Sequence, residues 1–321
     1  RYSDTRGLRG LVDSLVDKLR ARNGLACERE NVLVGAGATG SLATAIGALA
    51  SPGDEVLILS PFWPLIRGIV QAFRAEPVEV PFYDRVDSPE SAVEAVSERL
   101  SDRSVALYVS SPSNPTGKVL PESWLVALAE LARRRNLWLI SDEVYEEYVY
   151  QGRHVSMAPF APERTISTYS FSKSYGMAGN RCGWVFGPGE PMKAVARLAT
   201  HTFYSAPTAS QVAAARLLEG AGDEWLAESV PRYRQMGERA ADLLGLPRPE
   251  GSSFLFVDVA SRLDQRGLLG FLEDCADDGL FLAPGPSFGP YPTHVRLCYT
   301  AAPPDVTLRG LEKFARRLGT N

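Results

Sequence analysis

Between residues 31 and 187 the chain alternates seven short apolar runs with longer amphipathic or turn-rich segments. The runs are NVLV, EVLILS, PVEVPF, VALYVS, LWLISDE, TISTYS and CGWVFG. Each is too short for a buried helix and, rich in Val, Ile and Leu, reads as a strand covered on both faces. Residues 64–73, 88–100 and 122–136 carry helical spacing between them. Strands alternating with helices predict an α/β fold with a mainly parallel seven-stranded sheet and helices on both faces. Ahead of this pattern, Leu8, Leu11, Val12, Leu15, Val16 and Leu19 recur at helical spacing, and Asn23-Gly24 supplies the stop.

After Glu190 the rhythm changes. Long helical stretches run to Leu244 without an interrupting strand. A smaller region follows, with GSSFLFVDV, GLFLAPG and HVRLCYT as short strands and 308–318 as a closing helix. The expected organisation is a large domain over residues 1–230 and a small α+β C-terminal domain over 231–321. At 321 residues the chain is long enough for both.

Charge excludes several classes of function. The formal net charge is −4 with acids and bases interspersed, so no electrostatic footprint for nucleic acid is expected. No apolar run approaches a bilayer span, and RYSDTRG has no signal-peptide core, so a soluble cytoplasmic chain is the expectation. Cys27, Cys182, Cys275 and Cys298 lie far apart, as do His154, His201 and His294. Neither set has metal spacing, and no metal site is expected. The chain does not begin with methionine, so a preceding N-terminal piece is expected to be missing.

NVLVGAGATGSLAT contains a literal G-x-G-x-x-G between a strand and a helix, the setting of a dinucleotide fingerprint. The acidic residue that should end the next strand and hold a ribose is absent: EVLILS ends in Ser60, and Asp54 and Glu55 precede it. The motif therefore predicts an anion at a helix N-terminus more firmly than a dinucleotide.

Lysine is scarce, and Lys173, in TYSFSKSYGMAGNR, follows an apolar strand among serines and glycines with no acid nearby. A poorly solvated lysine loses its proton readily, and a neutral amine can form a Schiff base. A surface lysine in a loop is the alternative. Asp142, in LWLISDEVYEEY, ends a strongly apolar strand, where an open α/β sheet binds its ligands. It could pair with a ring nitrogen or simply cap the following helix. Asn114, in SSPSNPTG, sits in a turn at the same edge.

Taken in order, YSDTRGL, GAGATGSL, SPSNPTG, SDEVY, SFSK followed by GNRCGW, GPSFG and HVRLCY make the chain resemble the pyridoxal-phosphate enzymes of fold type I, in the class I/II aminotransferase family. The resemblance spans nearly the whole sequence. It implies that Lys173 holds pyridoxal 5'-phosphate as an internal aldimine and shuttles a proton at the substrate α-carbon. Asp142 would pair with the pyridinium nitrogen, Asn114 and Tyr145 would hydrogen-bond the phenolic oxygen, and Trp63 would stack on the ring. Ser170, Arg181, and the N–H groups of Ala38 and Thr39 would hold the phosphate, joined by Tyr2 from a neighbouring subunit of a homodimer. Arg296 would grip the substrate carboxylate, with Asn114 and Trp63 also facing substrate.

The implied activity is transfer of an amino group from an amino acid to a 2-oxo acid. Two other readings use the same fold: a lyase or synthase of the carbon–sulfur or cyclopropane-forming kind, and an effector-binding half of a transcription regulator. One departure from the pattern bears on substrate. Enzymes of the aspartate type carry an arginine for the side-chain carboxylate where the resemblance places His201 of THTFYS. The family's N-terminal arm, ahead of Tyr2, also helps line the substrate pocket.

Overall fold

Gly24 ends the first helix as its sequence predicts. Arg9–Asn23 buries Leu11, Val12, Leu15, Val16 and Leu19, and Gly24, at φ 67°, bonds its N–H back to Leu19 O. The computed structural model describes residues 2–320, so Arg1 and Asn321, the outer bounds of the two expected domains, lie outside the described residues.

All seven apolar runs form strands: β1 (Val32–Gly35), β2 (Glu55–Ser60), β3 (Glu76–Pro81), β4 (Ser104–Ser110), β5 (Trp138–Asp142), β6 (Thr165–Ser170) and β7 (Gly183–Phe186). They make one sheet in the order β1-β7-β6-β5-β4-β2-β3. The pairs β2–β3, β2–β4, β4–β5 and β5–β6 are parallel. β7 runs antiparallel to both β1 and β6. Side chains alternate as a pleat requires: Val56, Ile58, Tyr108 and Ile140 pack with the helices Gly37–Leu49 and Leu65–Ala72. Leu57, Leu59, Leu107, Val109 and Leu139 pack on the other face with Pro89–Ser97 and Glu122–Arg134. Both faces are therefore covered, which explains why these strands read as continuous apolar runs.

The carboxyl ends of the central strands share one edge, with Ser110 opposite Asp142 and Asp142 opposite Thr168. Because β7 is reversed between two like-directed neighbours, Gly35 of β1 and Ser170 of β6 both pair with Gly183. A Cβ on Gly183 would lie 2.6 Å from Tyr169 O and 3.0 Å from Ala38 N, so a glycine there lets the start of helix Gly37–Leu49 close onto the sheet.

After helices Gly189–Thr202 and Thr208–Arg216, a π-turn at Leu217–Ala221 with Gly220 at φ 129° re-aims the chain into the long helix Gly222–Leu244. The expected domain bound at 230 falls inside that helix. Three antiparallel strands follow, β8 (Phe254–Asp258), β9 (Ala283–Pro284) and β10 (His294–Cys298), in the order β8-β10-β9. β9 is only two residues long, far shorter than GLFLAPG suggests: Leu280 N–H is turned back to Cys275 O at 2.8 Å before it, and the short helix Gly285–Phe288 follows at once. The closing helix is longer than expected, Pro304–Leu318, and a further helix, Gly267–Asp277, stands where the sequence reading had none. The small-sheet core also takes in Tyr145, Tyr148 and Tyr150 from the loop after β5. All four cysteines are free thiols. No helix among the described residues is long and apolar enough to cross a membrane.

Candidate active site

A cavity opens at the strand-end edge. It is lined by Ala38, Thr39, Trp63, Asn114, Asp142, Tyr145, Ser170, Lys173 and Arg181, together with Leu42, Ser110, Val144, Ser172 and Ala178. Five strand ends, those of β1, β2, β4, β5 and β6, and the segments after them deliver these side chains, as an open α/β sheet does.

Asp142 is 4% exposed at the end of β5. The Tyr108 hydroxyl, reaching over from β4, donates to its Oδ2 at 2.6 Å, and Val144 N–H approaches Oδ1 at 3.4 Å. Burial pushes the carboxyl up to about 6, against the effect of these hydrogen bonds. Among the described residues no Lys or Arg forms an ion pair with it. A buried carboxylate that borders a cavity without a countercharge suits a protonated ring nitrogen placed opposite it.

Lys173 stands in the four-residue helix Phe171–Ser174, capped by Ser170, whose Oγ accepts from Ser172 N–H at 3.0 Å. Its side chain ends in the open cavity, with the amine 5.8 Å from the centre of the Tyr145 ring. Protein packed around its stem lowers its pKa, and the positive charges of Arg296 and Arg181 act in the same direction, while Cys298 and Asp142 oppose them. Asp142 and Lys173 are thus displaced toward each other, the acid upward and the amine downward.

The far end of the cavity is built to hold an anion. Helix Gly37–Leu49 begins there, and its first N–H groups, those of Ala38 and Thr39 included, have no partners within the helix. Arg181 adopts φ 51° and donates from Nη1 to Ala178 O at 2.8 Å. Its Nη2 lies so close to Gly37 that a Cβ there would meet it at 2.8 Å, and Gly37 itself has φ +70°. N–H donors, a guanidinium and the Ser170 hydroxyl fit a phosphate, and with Asp142 and Lys173 the donor set matches pyridoxal phosphate.

Arg296 and Tyr2 lie outside the cavity lining. Arg296, on β10, reaches across to donate from Nη1 to Asn114 Oδ1 at 2.9 Å. Its guanidinium carbon sits 4.3 Å from the Phe254 ring centre and 4.9 Å from that of Phe288. Its buried Nε has no partner, and burial lowers its pKa. The segment bearing Phe288 is tied to the large sheet, since Phe62 N–H donates to Phe288 O at 3.0 Å and Tyr291 OH to Asp84 Oδ1 at 2.9 Å. Tyr2 is 88% exposed and meets Tyr204 edge-on at 5.3 Å, away from the cavity of its own chain.

Glu143 faces the other side of β5, where Ser156, Ser141 and Met157 N–H donate to it and His154 Nε2 lies 2.8 Å away. Burial opposes its ionisation, but these contacts outweigh it and keep the pKa low. Glu143, Glu146 and His154 could together offer ligand atoms to a metal, but Lys18 Nζ already lies 2.6 Å from Glu146 Oε1 and occupies the cation's place. Sequence reasoning missed Tyr108, Phe254 and Phe288. For Tyr108 a signal existed: a hydroxyl inside a buried strand, two residues before Ser110, must find a partner near the register mate of Ser110, which is Asp142.

The family described as aminotransferase class I and II matches residues 1–315. The aspartate/prephenate aminotransferase of Thermus thermophilus is 33% identical over 99% of this chain and 83% of its own. The arginine–pyruvate transaminase of Pseudomonas aeruginosa is 36% identical over 92% of this chain and 77% of its own. Among solved structures, the aspartate aminotransferase from Thermus thermophilus with maleate superposes with a TM-score of 0.91 at 32% identity, covering 99% of this chain and 84% of that one. The aromatic aminotransferase from Pyrococcus horikoshii gives 0.91 at 27% identity, over 100% of this chain and 87% of that one.

Proposed function

We propose, for a chain that belongs to the class I and II aminotransferase family, a division of labour among the residues of this cavity. The family's enzymes depend on pyridoxal phosphate and transfer an amino group from an amino acid to a 2-oxo acid, and this chain is an aminotransferase of that kind. Bound at this site, pyridoxal phosphate supplies the electron sink that makes an amino acid's α-proton removable.

Lys173 is the attachment point for the cofactor and, once free, the base that takes and returns that proton at its Nζ. Its lowered pKa supports the role, because only the neutral amine can do either. Asp142 holds the ring nitrogen protonated, and Tyr108 fixes the carboxylate's orientation. Asn114 and Tyr145 donate to the phenolic oxygen, Trp63 lies on the ring face, and Ser170, Arg181, Ala38 and Thr39 bind the phosphate. Arg296 orients the substrate carboxylate, with Asn114 and Trp63 beside it. Tyr2 completes the phosphate site of a second subunit. The exposed Tyr2–Tyr204 pair supports that homodimer, and the four free cysteines support a reducing, cytoplasmic setting. The two separate sheets support a large unit over 1–230 and a small one over 231–321.

The convergence of Lys173, Asp142, Arg181 and the start of helix Gly37–Leu49 on one cavity carries this reading. A donor screen tests it. Purified protein with pyridoxal phosphate receives single amino acids and either pyruvate or 2-oxoglutarate, and product amino acid and free ammonia are both measured. New amino acid in step with donor loss supports transamination. Ammonia without new amino acid overturns it in favour of elimination.

A further inference from the structure

A helix of four residues cannot satisfy its own last carbonyls, and Phe171–Ser174 must find donors elsewhere. Met177 N–H serves Phe171 O at 3.1 Å, and two side chains serve the last two carbonyls. The Tyr148 hydroxyl donates to Lys173 O at 2.7 Å, beside a weaker contact from Gly176 N–H at 3.2 Å. Trp225 Nε1–H donates to Ser174 O at 2.9 Å.

Both donors are mechanically tied to the small sheet. Tyr148 is buried in the small-sheet core and meets Tyr233 edge-on at 5.3 Å. Trp225 and Tyr233 stand on the same long helix, Gly222–Leu244, whose later residues Ala240 and Leu244 belong to that core. Leu226, next to Trp225, packs against both that core and the one around Trp184. The helix also starts very close to the lysine segment, since a Cβ on Gly222 would lie 2.7 Å from the Tyr175 ring.

We infer that Trp225 and Tyr148 are positioning residues for Lys173, clamping the carbonyls of its short helix to the long helix that carries the small sheet. The placement of the small unit then sets where the lysine amine points. The inference rests on reading Lys173 as the cofactor-bearing lysine. Neither Trp225 nor Tyr148 lines the cavity, so their effect passes through the backbone. That route is sufficient: a displacement of about 1 Å in a reacting group costs on the order of a hundredfold in rate.

Trp225→Phe and Tyr148→Phe, made singly and together, each leave an aromatic ring and remove the donor; Tyr148→Phe removes the hydroxyl alone, while Trp225→Phe also removes part of the indole. Each holoenzyme is titrated with pH by the absorbance of its bound chromophore, which reports the proton on the Lys173 linkage, and is then assayed for kcat, KM and Tm. The expected result is a kcat loss of about fivefold for each single variant, near one hydrogen bond's worth. The double variant should lose more, with KM little changed and a displaced titration midpoint. A midpoint and kcat equal to wild type, with only Tm lowered, overturn the clamp. If Tyr148→Phe fails to fold, Trp225→Phe alone decides by the same criteria. A wild-type chain that takes up no chromophore overturns the Lys173 reading itself, and the clamp with it.

Discussion

Arg296 donates from Nη1 to Asn114 Oδ1 at 2.9 Å, a hydrogen bond that joins β10 to the loop after β4 beside the cavity. The guanidinium carbon lies close to the ring centres of both Phe254 (4.3 Å) and Phe288 (4.9 Å), while its Nε stays unpartnered. A planar fork in that slot presents two parallel donors to a carboxylate, and an ammonium cannot. Arg296→Lys should lower kcat/KM for the amino donor about a hundredfold, chiefly through KM, with circular dichroism unchanged. Steady-state kinetics read this directly.

Asp142 makes the cofactor-free protein less stable at neutral pH. Its pKa rises from 3.8 to about 6 on folding, so the folded chain binds the extra proton between those values. The Asp142 contribution is most favourable below pH about 4 and is lost as pH rises from there through about 6. Above that the cost is roughly 3 kcal/mol. Asp142→Asn should therefore stabilise the cofactor-free chain at pH 7.5, show no such gain at pH 4, and reduce turnover of the holoenzyme by at least about a hundredfold. Urea unfolding at the two pH values checks the first part. A variant less stable than wild type at pH 7.5 contradicts it.

Gly37 should tolerate no side chain. An alanine there has to hold φ +70° and push against Arg181 Nη2. Gly37→Ala is expected to weaken pyridoxal phosphate binding by about tenfold or more, measured by absorbance titration, while leaving the seven-stranded sheet folded.

The fold is legible in the sequence wherever periodicity decides it. Seven apolar runs became seven strands, and Asn23-Gly24 ended its helix because glycine alone enters the left-handed cap without cost. Strand direction is not periodic information, so the reversal of β7 could not be read, although it brings Gly35 and Ser170 together. The helix Gly267–Asp277 escaped because two glycines in GLLGFLEDCAD weaken its signal. In the cavity, residues with chemistry of their own were legible: Lys173, Asp142, Asn114 and the glycine turn. Phe254 and Phe288 were not, since an apolar ring flanking Arg296 has the same sequence signature as one buried in the core.

Tyr2 should act in the partner's site. A hybrid dimer of a Lys173→Ala chain and a Tyr2→Phe chain then contains one site with both residues intact. Its cofactor affinity at that site should equal wild type. If Tyr2 served its own chain, every lysine-bearing site in the hybrid would keep the tyrosine defect, and titration of the purified hybrid distinguishes the two.

Everything proposed for this cavity depends on the amine of Lys173 carrying pyridoxal phosphate. Incubation with the cofactor, reduction with borohydride and peptide mapping by mass spectrometry test that dependence at a single residue. A pyridoxyl adduct on the peptide containing SFSK, at Lys173 and close to one per chain, is the expected result. An adduct confined to Lys18, Lys118, Lys193 or Lys313, or none at all, contradicts it.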